Sequence, residues 1–206
     1  MKYRYSILII LLILILDQWS KIYIKTHFLY GESVNVLGTW FQLCFIENEG
    51  MAFGMKIMDS NLGKLILTLF RLIAVTFGFF WIARLAKKGA TKGLMICASL
   101  ILAGAAGNLL DSIFYAKIFS DSTSMTVAEW VPWGEGYGDL LHGRVVDMLY
   151  FPMIDTQWPK WVPFVGGNRL RFFEPIFNIA DVAISTGVIT LLVFQRKFIP
   201  QHQNKK

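Results

Sequence analysis

The feature that most constrains this chain is a set of four long apolar runs. They cover about residues 5–24, 65–85, 94–116 and 176–194. A helix needs about 20 apolar residues to cross a bilayer, so each run is long enough to span one. Of the 206 residues, 55% are hydrophobic and 17% are charged, against about 25% charged in soluble domains. The sequence therefore predicts an all-α membrane protein with four transmembrane helices, forming a single domain over residues 1–206.

Basic residues are concentrated at one end of these runs, in short loops and tails. They are Lys2, Arg4, Arg84, Lys87, Lys88, Lys92, Arg196, Lys197, Lys205 and Lys206. Because positive charge in short loops is retained in the cytoplasm, we predict that both termini are cytoplasmic. The net charge of +6 then reflects topology and does not indicate nucleic-acid binding. The first run lacks a small-residue cleavage site, so we interpret it as a retained span and not as a signal peptide.

The two outer segments, about residues 26–63 and 117–175, differ in character. The first contains Val34–Leu37 and Trp40–Phe45 among several glycines, a pattern that predicts short strands and turns. The second is rich in tryptophan, with Trp130, Trp133, Trp158 and Trp161. Tryptophan favours the headgroup region, so we expect this segment to lie on the outer membrane surface. A loose extracytoplasmic loop is the alternative.

Three aspartates fall inside the predicted spans: Asp17, Asp111 and Asp181. A carboxylate in hydrocarbon is costly and normally faces a protein interior or a wet cavity. At a rise of 1.5 Å per residue, Asp111 and Asp181 both lie within about 8 Å of the outer boundary. The sequence therefore predicts two acids at one depth on different helices, with Asp17 also in the outer half.

An asparagine precedes each of the two deep acids by three positions, as Asn108 precedes Asp111 and Asn178 precedes Asp181. Residues at this spacing share a helix face, so each face presents a carboxylate beside an amide. Structural alternatives remain for each residue. Asn178 can cap the fourth span, the small residues Gly104–Gly107 can form a helix-packing surface, and Asp111 can be a structural partner of Arg71 or Lys21.

Two neighbouring carboxylates can divide acid–base work, because both cannot be ionised at once and one retains a proton. The sequence has no HExxH or GxSxG motif, and its two cysteines form no CxxC. A Ser–Lys pair such as Ser20 and Lys21 stays an alternative, although adjacent helix positions point in different directions. An ion- or proton-coupled carrier would also use intramembrane acids, but carriers place them near the midplane and often show internal repeats. A non-enzymatic membrane assembly factor is the third possibility.

Five motifs in order resemble the bacterial lipoprotein signal peptidases, also called signal peptidase II. Asp17-Gln18-Trp19-Ser20-Lys21 is similar to the family's D-Q-x-[ST]-K, and residues 48–54 (NEGMAFG) are similar to its N-x-G-A-A-F. Residues 104–111 (GAAGNLLD), 145–147 (VVD) and 177–181 (FNIAD) resemble its G-x-x-G-N-x-x-D, V-x-D and F-N-x-A-D.

The resemblance implies an aspartic endopeptidase of the bacterial inner membrane, without metal or organic cofactor, whose site is near the outer face. Its substrates would be diacylglyceryl-modified prolipoproteins, cut just before the lipidated cysteine. Asp111 and Asp181 carry over as the catalytic pair. Residues that support this pair or the substrate pocket would be Asp17, Lys21, Asn48, Gly50, Asn108, Asp147 and Asn178. The first outer segment would form a small β-cradle beside the site. Membrane lipids are the other expected partner, and no obligate protein partner or nucleic acid is implied.

The sequence departs from the family pattern at three places. Ser112 stands where the family usually has arginine, and Arg71 or Arg144 is the candidate replacement. Met51 replaces an alanine of the second motif. The stretch between Asp111 and Asp181 is longer than expected, so the second outer loop is enlarged. Its aromatic residues suggest a lid, an additional lipid contact or a neutral insertion.

Overall fold

Four long helices and two small antiparallel sheets make up the fold in a computed structural model. The structure describes residues 3–49, 61–152, 154–172 and 175–198. The helices are α1 (Tyr3–His27), α2 (Asn61–Lys87), α3 (Lys92–Ile118) and α4 (Ile179–Phe198). The strands are β1 (Ser33–Leu37), β2 (Phe41–Asn48), β3 (Val145–Tyr150), β4 (Ile154–Gln157), β5 (Arg169–Phe172) and β6 (Ile176–Phe177).

All four helices are long and apolar enough to cross a membrane, which confirms the four predicted spans. The fourth helix begins later than predicted. Ile176 and Phe177 form β6 and pair with β3, so the helix starts only at Ile179. The cytoplasmic position of both termini and the single-domain assignment stay predictions.

Helix α3 is the centre of the bundle and packs against α1, α2 and α4. Its apolar residues occur on all sides, as expected for a helix surrounded by others. Leu102, Ala103 and Ala106 are buried in a core that also includes Ile10 of α1 and Val75 of α2. The outer faces of α1, α2 and α4 carry exposed aliphatic and aromatic side chains, which suits contact with lipid acyl chains.

Small residues let α3 approach α4 and α1 closely. A Cβ atom added at Gly104 would overlap the carbonyl oxygen of Ala180, and one added at Gly107 would overlap the carboxylate of Asp17. The packing alternative for Gly104–Gly107 is therefore confirmed. This close approach brings Asp17 of α1 and the first turn of α4 against α3.

The larger sheet has the strand order β1-β2-β3-β6, all antiparallel. It confirms the strands predicted in the first outer segment. The second outer segment is folded and not a loose loop: it supplies β3 to this sheet, and its strands β4 and β5 form a separate hairpin. Strand β6 comes from the two residues directly after this segment. The edge strand β6 pairs with β3 and directly precedes α4 in the chain. The beginning of α4 therefore lies near β3.

Candidate active site

The first turn of α4 holds Asp181 through a reciprocal pair of hydrogen bonds. The Asp181 backbone N–H donates to Oδ1 of Asn178 at 2.9 Å, and the Asn178 backbone N–H donates to Oδ2 of Asp181 at 3.3 Å. This is a capping-box arrangement, in which an N-cap side chain and an acid three positions later satisfy each other's backbone donors. The capping alternative for Asn178 is confirmed, and the cap fixes the direction of the Asp181 carboxylate.

Asp147 reaches the same place from strand β3. Its Oδ1 accepts a hydrogen bond from Nδ2 of Asn178 at 2.7 Å, and its Oδ2 accepts one from Nδ2 of Asn48. The residue is only 7% exposed. Burial, together with the negative charge of Asp181, raises the pKa of Asp147 to about 7, although the two amide hydrogen bonds favour the ionised form. Asn178 thus contacts both Asp147 and Asp181.

Asp111 lies in a buried ion cluster formed by α1 and α3. Nζ of Lys21 is 2.7 Å from Oδ2 of Asp111 and 2.9 Å from Oδ2 of Asp17, and all three side chains are fully buried. Oδ1 of Asp111 accepts a further hydrogen bond from Gln18 at 2.8 Å. Both oxygens of Asp111 are therefore occupied by the protein. The structure supports the alternative in which Asp111 is a structural partner of Lys21.

Asp17 also holds α1 against the beginning of α4. Its Oδ1 accepts a hydrogen bond from the backbone N–H of Ala180 at 2.9 Å. That N–H lies in the first turn of α4 and has no partner within the helix. The Asp17 carboxylate thus satisfies a buried donor while it neutralises Lys21.

Asn108 connects the ion cluster to Asp181. Its Oδ1 accepts a hydrogen bond from Nζ of Lys21 at 2.8 Å, and its Nδ2 donates to Oδ1 of Asp181 at 2.9 Å. Asn178 also donates to Oδ1 of Asn108, at 3.2 Å. The two asparagines therefore orient the Asp181 carboxylate from both sides.

One connected network thus contains every predicted site residue that the structure describes. These are Asp17, Lys21, Asn48, Asn108, Asp111, Asp147, Asn178 and Asp181. Gly50 and Met51 lie outside the described residues. The catalytic roles assigned from the sequence stay predictions.

Arg71, on α2, interacts electrostatically with both Asp181 and Asp111. The other candidate to replace the missing arginine, Arg144, instead pairs with Glu47 at 2.9 Å and Asp121 at 3.0 Å. Arg71 is therefore the better placed of the two. Ser112 itself is buried and donates to the backbone oxygen of Asn108.

A second buried charge cluster, which was not predicted from the sequence, joins α1 to strand β2. Nζ of Lys25 pairs with Glu47 and donates to Oγ of Ser122 at 2.9 Å, and it lies 5.0 Å from the ring centroid of Tyr137. Glu47 directly precedes Asn48 on β2 and is paired in register with Val146, the neighbour of Asp147. The signal in the sequence was Lys25 at the end of the first apolar run, which was not among the ten basic residues used to predict topology. Gln18 was also missed as a contact of Asp111, although it stands in the first motif.

No group of three or more His, Cys, Asp or Glu side chains within the described ranges is arranged to hold a metal ion. The polar groups at the site are carboxylates, carboxamides, one lysine and one arginine. Such a set can orient water and move protons between carboxyl groups.

The family comparison settles the relationship suggested by the motifs. The model of the family described as signal peptidase (SPase) II matches residues 9–196. The chain belongs to the signal peptidase II family. It is a multi-pass protein of the bacterial inner membrane, and family membership supports a protease that acts on lipoprotein precursors. It also argues against the carrier and assembly-factor alternatives.

Similar proteins include the lipoprotein signal peptidase of Porphyromonas gingivalis strain ATCC 33277, which is 47% identical over 90% of this chain and 80% of the relative. The lipoprotein signal peptidase of Amoebophilus asiaticus is 36% identical over 96% of this chain and 80% of the relative. A bacterial membrane enzyme solved by the in meso method at 2.3 Å has a similar fold, with a TM-score of 0.61 and 24% identity over 98% of this chain and 93% of that chain.

Proposed function

We propose that this protein cleaves the signal peptide from diacylglyceryl-modified prolipoproteins, immediately before the lipidated cysteine. Family membership supports the prolipoprotein substrate. A signal peptide is an apolar helix, and a lipidated cysteine at its end is held near the membrane interface. The site residues lie where α4 begins and the sheet ends, so a substrate bond at the outer interface would arrive at their level.

We further propose that Asp147 and Asp181 form the catalytic pair. The observation that carries this proposal is the arrangement around Asn178, which contacts both acids and leaves Asp147 with a pKa of about 7. Burial and the charge of Asp181 favour a proton on Asp147, so Asp147 is frequently protonated at neutral pH. We assign the role of the acid to Asp147 and that of the base to Asp181. Aspartic proteases need this division of roles.

This proposal changes the pair expected from the family resemblance, in which Asp111 was the partner of Asp181. Asp111 is fully buried, and its oxygens bind Lys21 and Gln18. The backbone N–H of Val146 also donates to Oδ2 of Asp111, at 3.4 Å, so both oxygens are held by protein donors in the buried ion cluster. We assign Asp111 to the support of the site: with Lys21 it positions Asn108, which binds Asp181.

The mechanism follows from the protonation states of the pair. Ionised Asp181 takes a proton from a water molecule, and the resulting hydroxide adds to the carbonyl carbon of the scissile bond. Protonated Asp147 gives its proton to the carbonyl oxygen. As the tetrahedral intermediate collapses, Asp181 passes its proton to the leaving amine and Asp147 recovers one from a hydroxyl. The C–N bond breaks and both acids return to their initial states.

A cleavage assay with a matched substrate pair tests the function. Purified protein in nanodiscs is incubated with the same precursor peptide, either carrying diacylglycerol on its cysteine or unmodified, and the products are identified by mass. We expect cleavage of the lipidated precursor only, with the lipidated cysteine as the new N-terminus. Cleavage elsewhere, or equal cleavage of both precursors, would contradict the proposal.

A further inference from the structure

The β4–β5 hairpin is an arm that the proposed chemistry does not use. It comprises residues 154–172 and forms its own two-stranded sheet, outside the sheet that carries Asp147. Its four paired residues on each strand extend about 13 Å. The connecting tip, residues 158–168, has the sequence WPKWVPFVGGN.

The tip presents large aromatic side chains away from the protein. Trp161 is 80% exposed and Phe164 is completely exposed. Phe164 has a φ of +67°. Bulky residues rarely adopt a positive φ, so this backbone conformation is strained. In this strained conformation the Phe164 ring is exposed and has little contact with the rest of the protein. A strained and exposed aromatic ring indicates an external partner.

The tip backbone is suited to an environment poor in water. Trp158 and Asn168 are joined across its base, and the N–H groups of Val162, Gly166 and Gly167 donate to backbone oxygens within the tip. Pro159 and Pro163 have no N–H to satisfy. Backbone polar groups that enter a membrane must find such internal partners.

The charge of the arm complements a phospholipid surface. Residues 154–172 contain three basic residues, Lys160, Arg169 and Arg171, and one acidic residue, Asp155, so the arm has a net positive charge. Basic residues near a membrane are attracted to phosphate headgroups, and tryptophan prefers the headgroup level.

The base of the arm lies next to the beginning of α4. It leaves the larger sheet at the pair formed by Tyr150 and Ile176. Ile176 is two residues before Asn178, the cap of α4, so the base of the arm is within about 7 Å of the beginning of that helix. An arm of about 13 Å that starts there can reach the headgroup region.

We propose that the tip of the β4–β5 hairpin inserts Trp161 and Phe164 into the outer phospholipid surface as an aromatic anchor beside the active site. The occupant is the lipid headgroup region itself. The proposal depends on the membrane-embedded fold and not on the choice of catalytic acids, so it can fail while the proposed function holds.

Site-directed spin labelling of the full chain in nanodiscs tests the anchor. Both native cysteines are buried, and the background variant is C44A/C97A. A label at Phe164→Cys is compared with labels at exposed Ser124 in a polar turn and at Ile73, which is 70% exposed on α2. For each label, the ratio of its collision rate with oxygen to its collision rate with a water-soluble nickel chelate is measured. We expect this ratio to be severalfold higher at position 164 than at position 124. The ratio at position 164 should lie between those of the labels at 124 and 73.

Two results would overturn the anchor proposal. If the label at 164 is as accessible to the nickel chelate as the label at 124, the tip stands in water. If both reagents are excluded, protein covers the tip, as a second copy or a bound substrate would. Lipid quenching gives an independent check with native side chains. With brominated lipids, Trp161→Phe should remove more of the quenchable emission than Trp158→Phe at the half-buried base, and equal losses would contradict insertion.

Discussion

Replacing Asp147 with asparagine should change how the stability of the protein depends on pH. The pKa of Asp147 rises from 3.8 to about 7 on folding, because the carboxyl group is buried near the charge of Asp181. Between these values the folded state holds a proton that the unfolded state has released. Stability therefore falls as pH rises from about 4 to about 7 and is constant above that range. An asparagine side chain cannot titrate, so this loss should disappear in the variant.

The size of the effect follows from the shift. A difference of about three pH units corresponds to at most about 4 kcal/mol. Asparagine also places an amide group opposite the donors Asn178 and Asn48, which costs about 1–3 kcal/mol at every pH. This second cost is the same at every pH. The pH dependence of the stability difference between variant and wild type therefore reports the titration of Asp147.

Thermal unfolding in detergent, followed from pH 4 to pH 8, measures this difference. The melting temperature of Asp147→Asn relative to wild type should rise across this range by at most about 8–16 °C, which is about 4 kcal/mol at about 2–4 °C per kcal/mol for a chain of this size. Asp139→Asn is the matched control, because Asp139 is 86% exposed and pairs only at the surface with Lys117. A difference for Asp147→Asn that stays constant from pH 4 to pH 8 would refute the argument.

Three further predictions follow from the same contacts. Because protonated Asp147 is the proposed acid, kcat/KM for a lipidated peptide should fall as pH rises through about 7; a rate that does not change between pH 6 and 8 would contradict this role. Lys21→Met leaves Asp111 buried without its cation and should destabilise the protein by about 3–5 kcal/mol, measured by denaturation; an unchanged midpoint would show that the pair is not structural. Gly104→Ala places a methyl group against the carbonyl oxygen of Ala180. It should lower the free energy of unfolding by about 1–3 kcal/mol and reduce turnover. Wild-type stability and turnover would mean that α3 and α4 can move apart without cost.

Much of the fold was predictable from the sequence because the membrane restricts the possibilities. Four apolar runs of sufficient length specify four helices, and the glycines at 104 and 107 indicated the close contact of α3. The two strands of the first outer segment were also predicted. The start of α4 was misplaced because Ile176 and Phe177 are as apolar as the helix that follows, and only their pairing with β3 distinguishes them.

The members of the site were more predictable than their contacts. Motif residues identified the side chains that the structure brings into one network. Sequence spacing along helices could not show that Lys21 binds Asp111, or that Asp147 comes from a strand to meet Asn178. Both contacts join residues far apart in the chain. Asp147 lies outside every span, so only the family resemblance indicated it, and then in a supporting role.

Turnover of purified Asp147→Asn and Asp181→Asn with a lipidated precursor is the most direct test of the catalytic pair. Each variant should bind substrate and fold, while its rate falls by at least about 100-fold, as expected for the loss of an acid or a base. Asp111→Asn should instead lower the melting temperature, because Lys21 loses one of its buried partners. If Asp147→Asn cleaves at a rate close to wild type, Asp147 is not a catalytic residue and the proposed pair is wrong.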